Sequence, residues 1–166
     1  MSELREATGD DHPILSGEDF DNLEEKVADD AGNLVEDLIE LFEDESSLED
    51  RIERFRTNQG IELPVISVLL ATFDPDRYVL YDEEDFGTLI RYFTGLHSPD
   101  LGDLSVGRRY DLYRSYCSTI QTDVLSEKLA DATLQDAQEF VGTVTHSAEC
   151  RYNFILRYLF RHTSRL

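Results

Sequence analysis

The segment between Pro64 and Pro75 constrains the fold more than any other part of the sequence. Its residues from Val65 to Phe73 are almost all apolar, and the Asp-Pro-Asp sequence that follows stops a helix. Pro64 suits the first turn of a helix, because the N–H that proline lacks has no partner there. A helix that is apolar on nearly every side is buried. We therefore predict a buried central helix near residues 64–73.

Most of the remaining chain also shows helical spacing, because apolar residues recur at steps of three and four. Ser46 with Glu49 and Thr133 with Asp136 match capping boxes, and Asn58-Gln59-Gly60 matches a helix end. Strand-like runs are nearly absent, apart from an alternating segment at 77–81. The sequence predicts an all-α fold of about seven helices, at 18–44 with a candidate break at Gly32, from Ser46 or Ser47 to 58–60, and at 64–73, 82–93, 108–130, 133–144 and 147–162.

The chain has 166 residues, which favours one domain. We predict a flexible acidic lead-in over residues 1–16 and a single all-helical domain over 17–166. There is no apolar run near the roughly 20 residues of a membrane span, and no basic start followed by an apolar stretch. Cys117 and Cys150 lie far apart and outside paired motifs, which indicates free thiols. These features predict a cytoplasmic protein without membrane association.

The strongest compositional signal is charge: 36 acidic residues face 15 basic ones, for a net charge of −21. Thirteen of the bases are Arg, and a Lys-poor, Asp-rich surface is typical of proteins from salt-accumulating archaea. Molar salt screens such self-repulsion. The alternative is an acidic protein of ordinary salt that binds basic partners. The acidity is uneven, since residues 1–50 carry −17 and residues 105–166 carry +1.

The familiar catalytic motifs are missing from the sequence. It has no P-loop, His-Glu-x-x-His, Gly-x-Ser-x-Gly or Cys-x-x-Cys pattern. His146, Glu149 and Cys150 share helical spacing, and acids cluster at 82–85, but first-turn acids and a buried Cys explain these residues without a metal. We therefore predict no catalytic residue, no metal and no cofactor.

Basic and aromatic residues are interleaved near the C-terminus, an arrangement that can contact phosphates or single strands. Two arginines earlier in the chain are candidates for the same surface. The alternative is that these arginines pair with the acidic first helices. The predicted DNA-binding or partner-binding residues are Arg151, Arg157, Tyr158, Arg161, His162 and Arg165, together with Arg108 and Arg109.

Two stretches of the sequence resemble a known family. They are the residues Leu-Pro-Val-Ile-Ser-Val-Leu-Leu-Ala-Thr-Phe-Asp-Pro-Asp-Arg-Tyr-Val-Leu-Tyr at 63–81 and Thr-Leu-Gln-Asp-Ala-Gln-Glu-Phe-Val at 133–141, with Tyr113-x-x-Tyr116-Cys117 between them. Over about residues 45–145 they resemble the helical region that precedes the AAA+ motor of McrB-like restriction NTPases. The sequence lacks the motor and its Walker motifs. The resemblance implies either a helical module of a restriction or defence system without its motor, or shared helical packing.

The sequence thus predicts a non-catalytic helical module that docks to DNA, to an AAA+ motor or to another protein subunit. Phosphate contacts weaken steeply in molar salt, so protein docking is at least as well supported as DNA binding. The first alternative is a protein-interaction or scaffolding domain of a halophile with no nucleic-acid role. The second is an enzyme with an acid-lined pocket or a reactive His146–Cys150 pair.

Overall fold

The computed structural model describes residues 17–94 and 103–147. This part of the chain is all-helical and contains no strand, so the predicted fold class is confirmed. The predicted lead-in at 1–16 and the predicted last helix at 147–162 lie outside the described residues, apart from Ser147. None of the described helices is long and apolar enough to cross a membrane. The six described helices are α1 (Gly17–Glu43), α2 (Leu48–Gln59), α3 (Leu63–Phe73), α4 (Glu83–Thr94), α5 (Val106–Ile120) and α6 (Leu134–His146).

Helix α1 is kinked at Asp30, whose φ of −151° and ψ of 64° are not helical. The predicted break at Gly32 is therefore wrong by two residues. Asp30 acts like an N-cap for the second half of α1, because its Oδ1 accepts a hydrogen bond from the Asn33 backbone N–H at 3.3 Å. A short side chain with an acceptor oxygen stabilises a new helix start, and glycine offers no such acceptor.

The junction between α1 and α2 is held by side chains that cap both helix ends. Ser47 is the N-cap of α2 and accepts a hydrogen bond from the Asp50 backbone N–H at 3.1 Å, so the capping box predicted at Ser46 and Glu49 is wrong by one residue. At the end of α1, the buried Arg51 guanidinium donates to the carbonyls of Leu41 at 2.7 Å and Phe42 at 3.1 Å. These bonds satisfy carbonyls that α1 leaves without partners.

Helix α5 packs against four of the other five described helices. Its Tyr110, Tyr113, Cys117 and Ile120 are fully buried, and it packs against α2, α3, α4 and α6. Helix α3 buries one face, with Ile66 and Leu70 inaccessible to solvent, and leaves Phe73 49% exposed. The helix predicted at 64–73 is thus present as α3 and is largely buried, although α5 contacts more of the other helices than α3 does.

Of the segment predicted to be extended at 77–81, Arg77 lies in an exposed turn, whereas Tyr78, Val79 and Tyr81 are buried without a strand partner among the described residues. Side chains bond its backbone instead: Val79 exchanges two hydrogen bonds with the Tyr110 hydroxyl, at 3.2 Å and 2.9 Å. The N–H groups of Leu80 and Tyr81 donate to Gln138 and Ser67, each at 2.9 Å. Buried backbone groups need such partners. This segment therefore ties α3, α5 and α6 together.

Three of the remaining helix boundaries agree with the sequence, and the largest difference is at the end of α5. Gly60 ends α2 in the left-handed conformation at φ 61°, Asp82 caps α4, and Thr133 with Asp136 forms a capping box on α6. The helix predicted over 108–130 is shorter. It ends as an α-helix at Ile120 and continues through a π-turn at Gln121–Leu125. Helix α6 then packs on α4 and α5.

Candidate functional site

The C-terminal part of the predicted interaction surface lies outside the described residues. This applies to Arg151, Arg157, Tyr158, Arg161, His162 and Arg165. Arg108 and Arg109 are described, and both lie in the first turn of α5.

Arg108 is exposed and engaged within its own helix. Its guanidinium lies 3.4 Å from Asp111, which also binds Arg114 at 3.1 Å. One carboxylate therefore serves two arginines on the same helix face. Ion pairs of this kind between residues three apart lower the free positive charge of the surface. Arg108 consequently contributes little to an anion-binding face.

Arg109 points to a groove of about 340 Å³ where the starts of α3, α4 and α5 meet. Its Nε is buried and has no hydrogen-bond partner among the described residues. Three acids also line the groove, namely Glu62, Asp82 and Glu83. One guanidinium among three carboxylates makes the groove unfavourable for a phosphate. Arg108 and Arg109 are adjacent in sequence, but the structure does not combine them into one basic patch.

Tyr81, which also lines this groove, is held as a neutral phenol. Its hydroxyl donates a hydrogen bond to Glu83. Burial raises the pKa of Tyr81, and the hydrogen bond to the Glu83 carboxylate raises it further. Tyr81 can thus donate a hydrogen bond at neutral pH but cannot act as a phenolate base.

Asp85 of α4 and Cys117 of α5 are buried, and the side chain of His146 at the end of α6, near Asp85, is 63% exposed. Asp85 is 6% exposed, and burial raises the pKa of its carboxyl group. His146 Nε2 lies 4.0 Å from Asp85 Oδ1, beyond hydrogen-bond distance. Burial also raises the pKa of the Cys117 thiol to about 12, so this thiol is neutral and unreactive at neutral pH. Among the described residues, no group of three His, Cys, Asp or Glu side chains is placed to hold a metal ion.

Three exposed apolar side chains of α1 and α3, together with the partly buried Phe42, form a surface here called the apolar strip. It consists of Val35, Ile39, Phe42 and Phe73. Val35 is 53% exposed, Ile39 is 52% exposed and Phe73 is 49% exposed. The rings of Phe42 and Phe73 stack with centroids 4.1 Å apart and planes 2° apart. Residues 35, 39 and 42 share one helix face, so the Phe42–Phe73 stack joins the exposed surfaces of α1 and α3.

Acidic side chains border the apolar strip along α1. Glu36, Glu40 and Glu43 are exposed and follow the strip at the same helical spacing. Within the described residues, none of the three forms an ion pair. The strip thus combines uncovered apolar area with a row of free carboxylates. It suits a partner that has an apolar face and basic edges.

Sequence reasoning missed this surface, although the sequence contains a signal for it. Apolar residues at steps of three and four over 18–44 include Leu34, Leu38 and Phe42, and Val35 and Ile39 fall outside this stripe. Six of the nine residues at 34–42 are apolar. This apolar face of α1 is wider than contact with one neighbouring helix requires, so Val35 and Ile39 remain exposed.

No family model, curated protein or solved structure matches the chain. The resemblance to the helical region of McrB-like NTPases therefore stays a prediction.

Proposed function

We propose that the protein is a non-catalytic docking module that binds a partner protein through the apolar strip. The observation that carries this proposal is the half-exposed set of Val35, Ile39 and Phe73 beside unpaired carboxylates. An exposed apolar patch with a polar rim is typical of protein–protein contacts. Ile39 lies between Val35 and Phe42 on this face, and it is the residue to test.

The charge of the described residues supports a protein partner over DNA. These residues contain 30 acids and 10 bases, a net charge of −20. Five of their eight arginines form ion pairs with nearby acids, as at Arg54–Asp44 and Arg108–Asp111. In molar salt, phosphate contacts weaken steeply, whereas salting-out ions strengthen apolar burial. An apolar strip therefore suits a salt-rich interior better than a basic patch does.

The biological setting of the docking module is also part of the proposal. The McrB-like resemblance would place such a module beside an AAA+ motor in a restriction or defence system. DNA contact would depend on the C-terminal arginines Arg151, Arg157, Arg161 and Arg165. Neither feature involves the residues of the apolar strip. Docking through the strip can therefore be tested apart from the biological setting.

The experiment is affinity capture with chemical cross-linking in the native host, with Ile39→Asp as the test variant. Leu129→Asp is the matched control, because Leu129 is 50% exposed, belongs to no part of the strip and gives the same change of charge. We expect a cross-linked protein that is present with the wild type and Leu129→Asp and is lost with Ile39→Asp. The same cross-links in all three samples would exclude the strip as the docking site.

Fluorescence anisotropy with labelled single-stranded and double-stranded DNA tests the competing role. The wild type is compared with Arg157→Glu/Arg161→Glu over a KCl series. We expect no saturable binding at salt concentrations where the protein is folded. Saturable binding that falls with salt and vanishes in the double variant would favour DNA as the partner.

A further inference from the structure

Residues 148–166 have the chemistry that the apolar strip lacks. They contain four Arg and one Glu, a net charge of +3, against −20 for the described residues. Six apolar or aromatic residues lie within the stretch 154–160. A segment that is both apolar and basic complements an apolar surface bordered by carboxylates.

The arginine spacing also fits the acidic border. Arg157, Arg161 and Arg165 are four residues apart, and Glu36 and Glu40 on α1 are four residues apart as well, with Glu43 three residues further. These three acids have no ion-pair partner within the described residues. Long arginine side chains can cover apolar area with their stems while their guanidinium groups reach a carboxylate. The segment can thus cover the apolar strip and pair with its acidic border at the same time.

The position of α6 indicates which molecule supplies the segment. Helix α6 ends beside α4, where His146 lies 4.0 Å from Glu84. The start of α4 shares a groove with Leu63 at the start of α3, whereas Phe73 is at the opposite end of α3, about 15 Å along its axis. Helix α6 packs on α4 and α5, and α1 packs on α2 and α3.

The distance across these layers is large for the short connection. Each helix layer adds roughly 8–10 Å. Residues 148–153 separate Ser147 from Phe154, and this span covers at most about 25 Å when fully extended. A path from the end of α6 to Phe73 that crosses two helix layers and follows the length of α3 needs at least the full extended length of this connection. A second copy can present the same segment without this constraint, and an exchange between two copies covers both strips in a closed dimer.

We propose that residues 148–166 of one copy bind the apolar strip of a second copy, so that the protein forms a dimer by reciprocal exchange of its C-terminal segments. This inference rests on the proposed function of the strip as a docking surface, and it names the partner. It also accounts for the positive charge at the C-terminal end of an otherwise acidic chain.

Sedimentation velocity of the full chain tests this dimer, over a protein dilution series and a KCl series from about 0.1 to about 2 M. We expect a dimer for the wild type and for Leu129→Asp. Ile39→Asp and Arg157→Glu/Arg161→Glu should each weaken association at least about tenfold. Adding Glu36→Arg/Glu40→Arg to the double variant should restore it, because the charges are then exchanged between the two surfaces. Circular dichroism shows whether each variant is folded.

The contrary outcomes separate the two proposals. A wild type that is monomeric throughout the series overturns the dimer. A dimer lost in Ile39→Asp but unchanged by the arginine reversal overturns the role of residues 148–166 and leaves the strip as a docking surface. A dimer that persists in both Ile39→Asp and Arg157→Glu/Arg161→Glu overturns the proposed contact between the strip and residues 148–166. Failure of the charge exchange to restore association overturns the pairing of the arginines with Glu36 and Glu40.

Discussion

At the scale of single residues, Asp85 is the most deeply buried of the described carboxylates whose pKa is shifted. Burial raises the pKa of Asp85, and the neighbouring Asp82 and Glu84 add to this effect. Contacts with Thr145 and His146 lower the pKa without offsetting the burial. The unfolded chain releases the same proton near pH 4. Above that pH the folded state binds more protons than the unfolded state, so stability falls as pH rises toward the folded pKa.

Replacing Asp85 by Asn should remove this dependence. Because Asn cannot ionise, we expect Asp85→Asn to raise the free energy of unfolding at pH 7 by on the order of 1 kcal/mol. The slope of stability against pH should flatten from about pH 4 upwards. Urea denaturation at a series of pH values in molar KCl measures both effects.

His146→Gln is the control for this comparison, because it removes a neighbour that lowers the pKa of Asp85 and leaves the carboxyl group in place. The slope should therefore remain in His146→Gln. A slope that also remains in Asp85→Asn would mean that Asp85 is not its source.

At the scale of elements, the crossing of α2 and α5 depends on one glycine. A Cβ at Gly107 would lie 2.3 Å from the Glu49 backbone oxygen, a distance that requires the helices to separate. We expect Gly107→Ala to lower the free energy of unfolding by about 1–3 kcal/mol. Thermal and urea denaturation measure this change.

Gly87 provides the matched control for this substitution. It lies inside α4, and a Cβ there would meet no atom within 4 Å. Gly87→Ala should therefore stabilise the protein by about 0.5–1 kcal/mol, the ordinary gain for alanine in a helix. An equal effect of the two substitutions would mean that α2 and α5 do not approach as closely as described.

Elements with local causes were predictable from the sequence. The capping box at Thr133 and Asp136 and the left-handed Gly60 depend on residues within one turn, and both are confirmed. The kink at Asp30 was misplaced because glycine and aspartate are both plausible at such a position, and the hydrogen bond from Asn33 decides between them. The packing of α5 against four other helices depends on contacts distant in sequence, which periodicity does not report.

The candidate site was less predictable than the fold, and for a related reason. Arg108 and Arg109 are neighbours in sequence, yet one pairs with Asp111 and the other enters an acidic groove. Val35 and Ile39 are ordinary apolar residues of a helix, and their exposure follows from which face α2 and α3 cover. Sequence patterns show that a residue is apolar or basic. The packing of the helices determines whether it is available to a partner.

At the scale of the whole molecule, the acidic surface should make stability depend on salt. The described residues carry a net charge of −20, and self-repulsion at that charge destabilises a compact state. The Debye length is about 10 Å at 0.1 M and about 3 Å at 1 M salt, so molar KCl confines each charge to its nearest neighbours. We expect the midpoint of thermal unfolding to rise steeply between these concentrations.

A variant with fewer charges separates screening from a general effect of salt on apolar burial. Glu25, Asp29, Glu45 and Glu139 are exposed, lie outside the apolar strip and make no ion pair within the described residues. Their combined replacement by the matching amides should raise stability at low salt and reduce the increase that KCl produces. If the response to KCl were unchanged, apolar burial would be its cause, since salts that strengthen burial act regardless of charge. A reduced response would instead mean that the acidic surface requires a salt-rich solvent, which is the condition under which an apolar strip binds its partner better than a basic patch does.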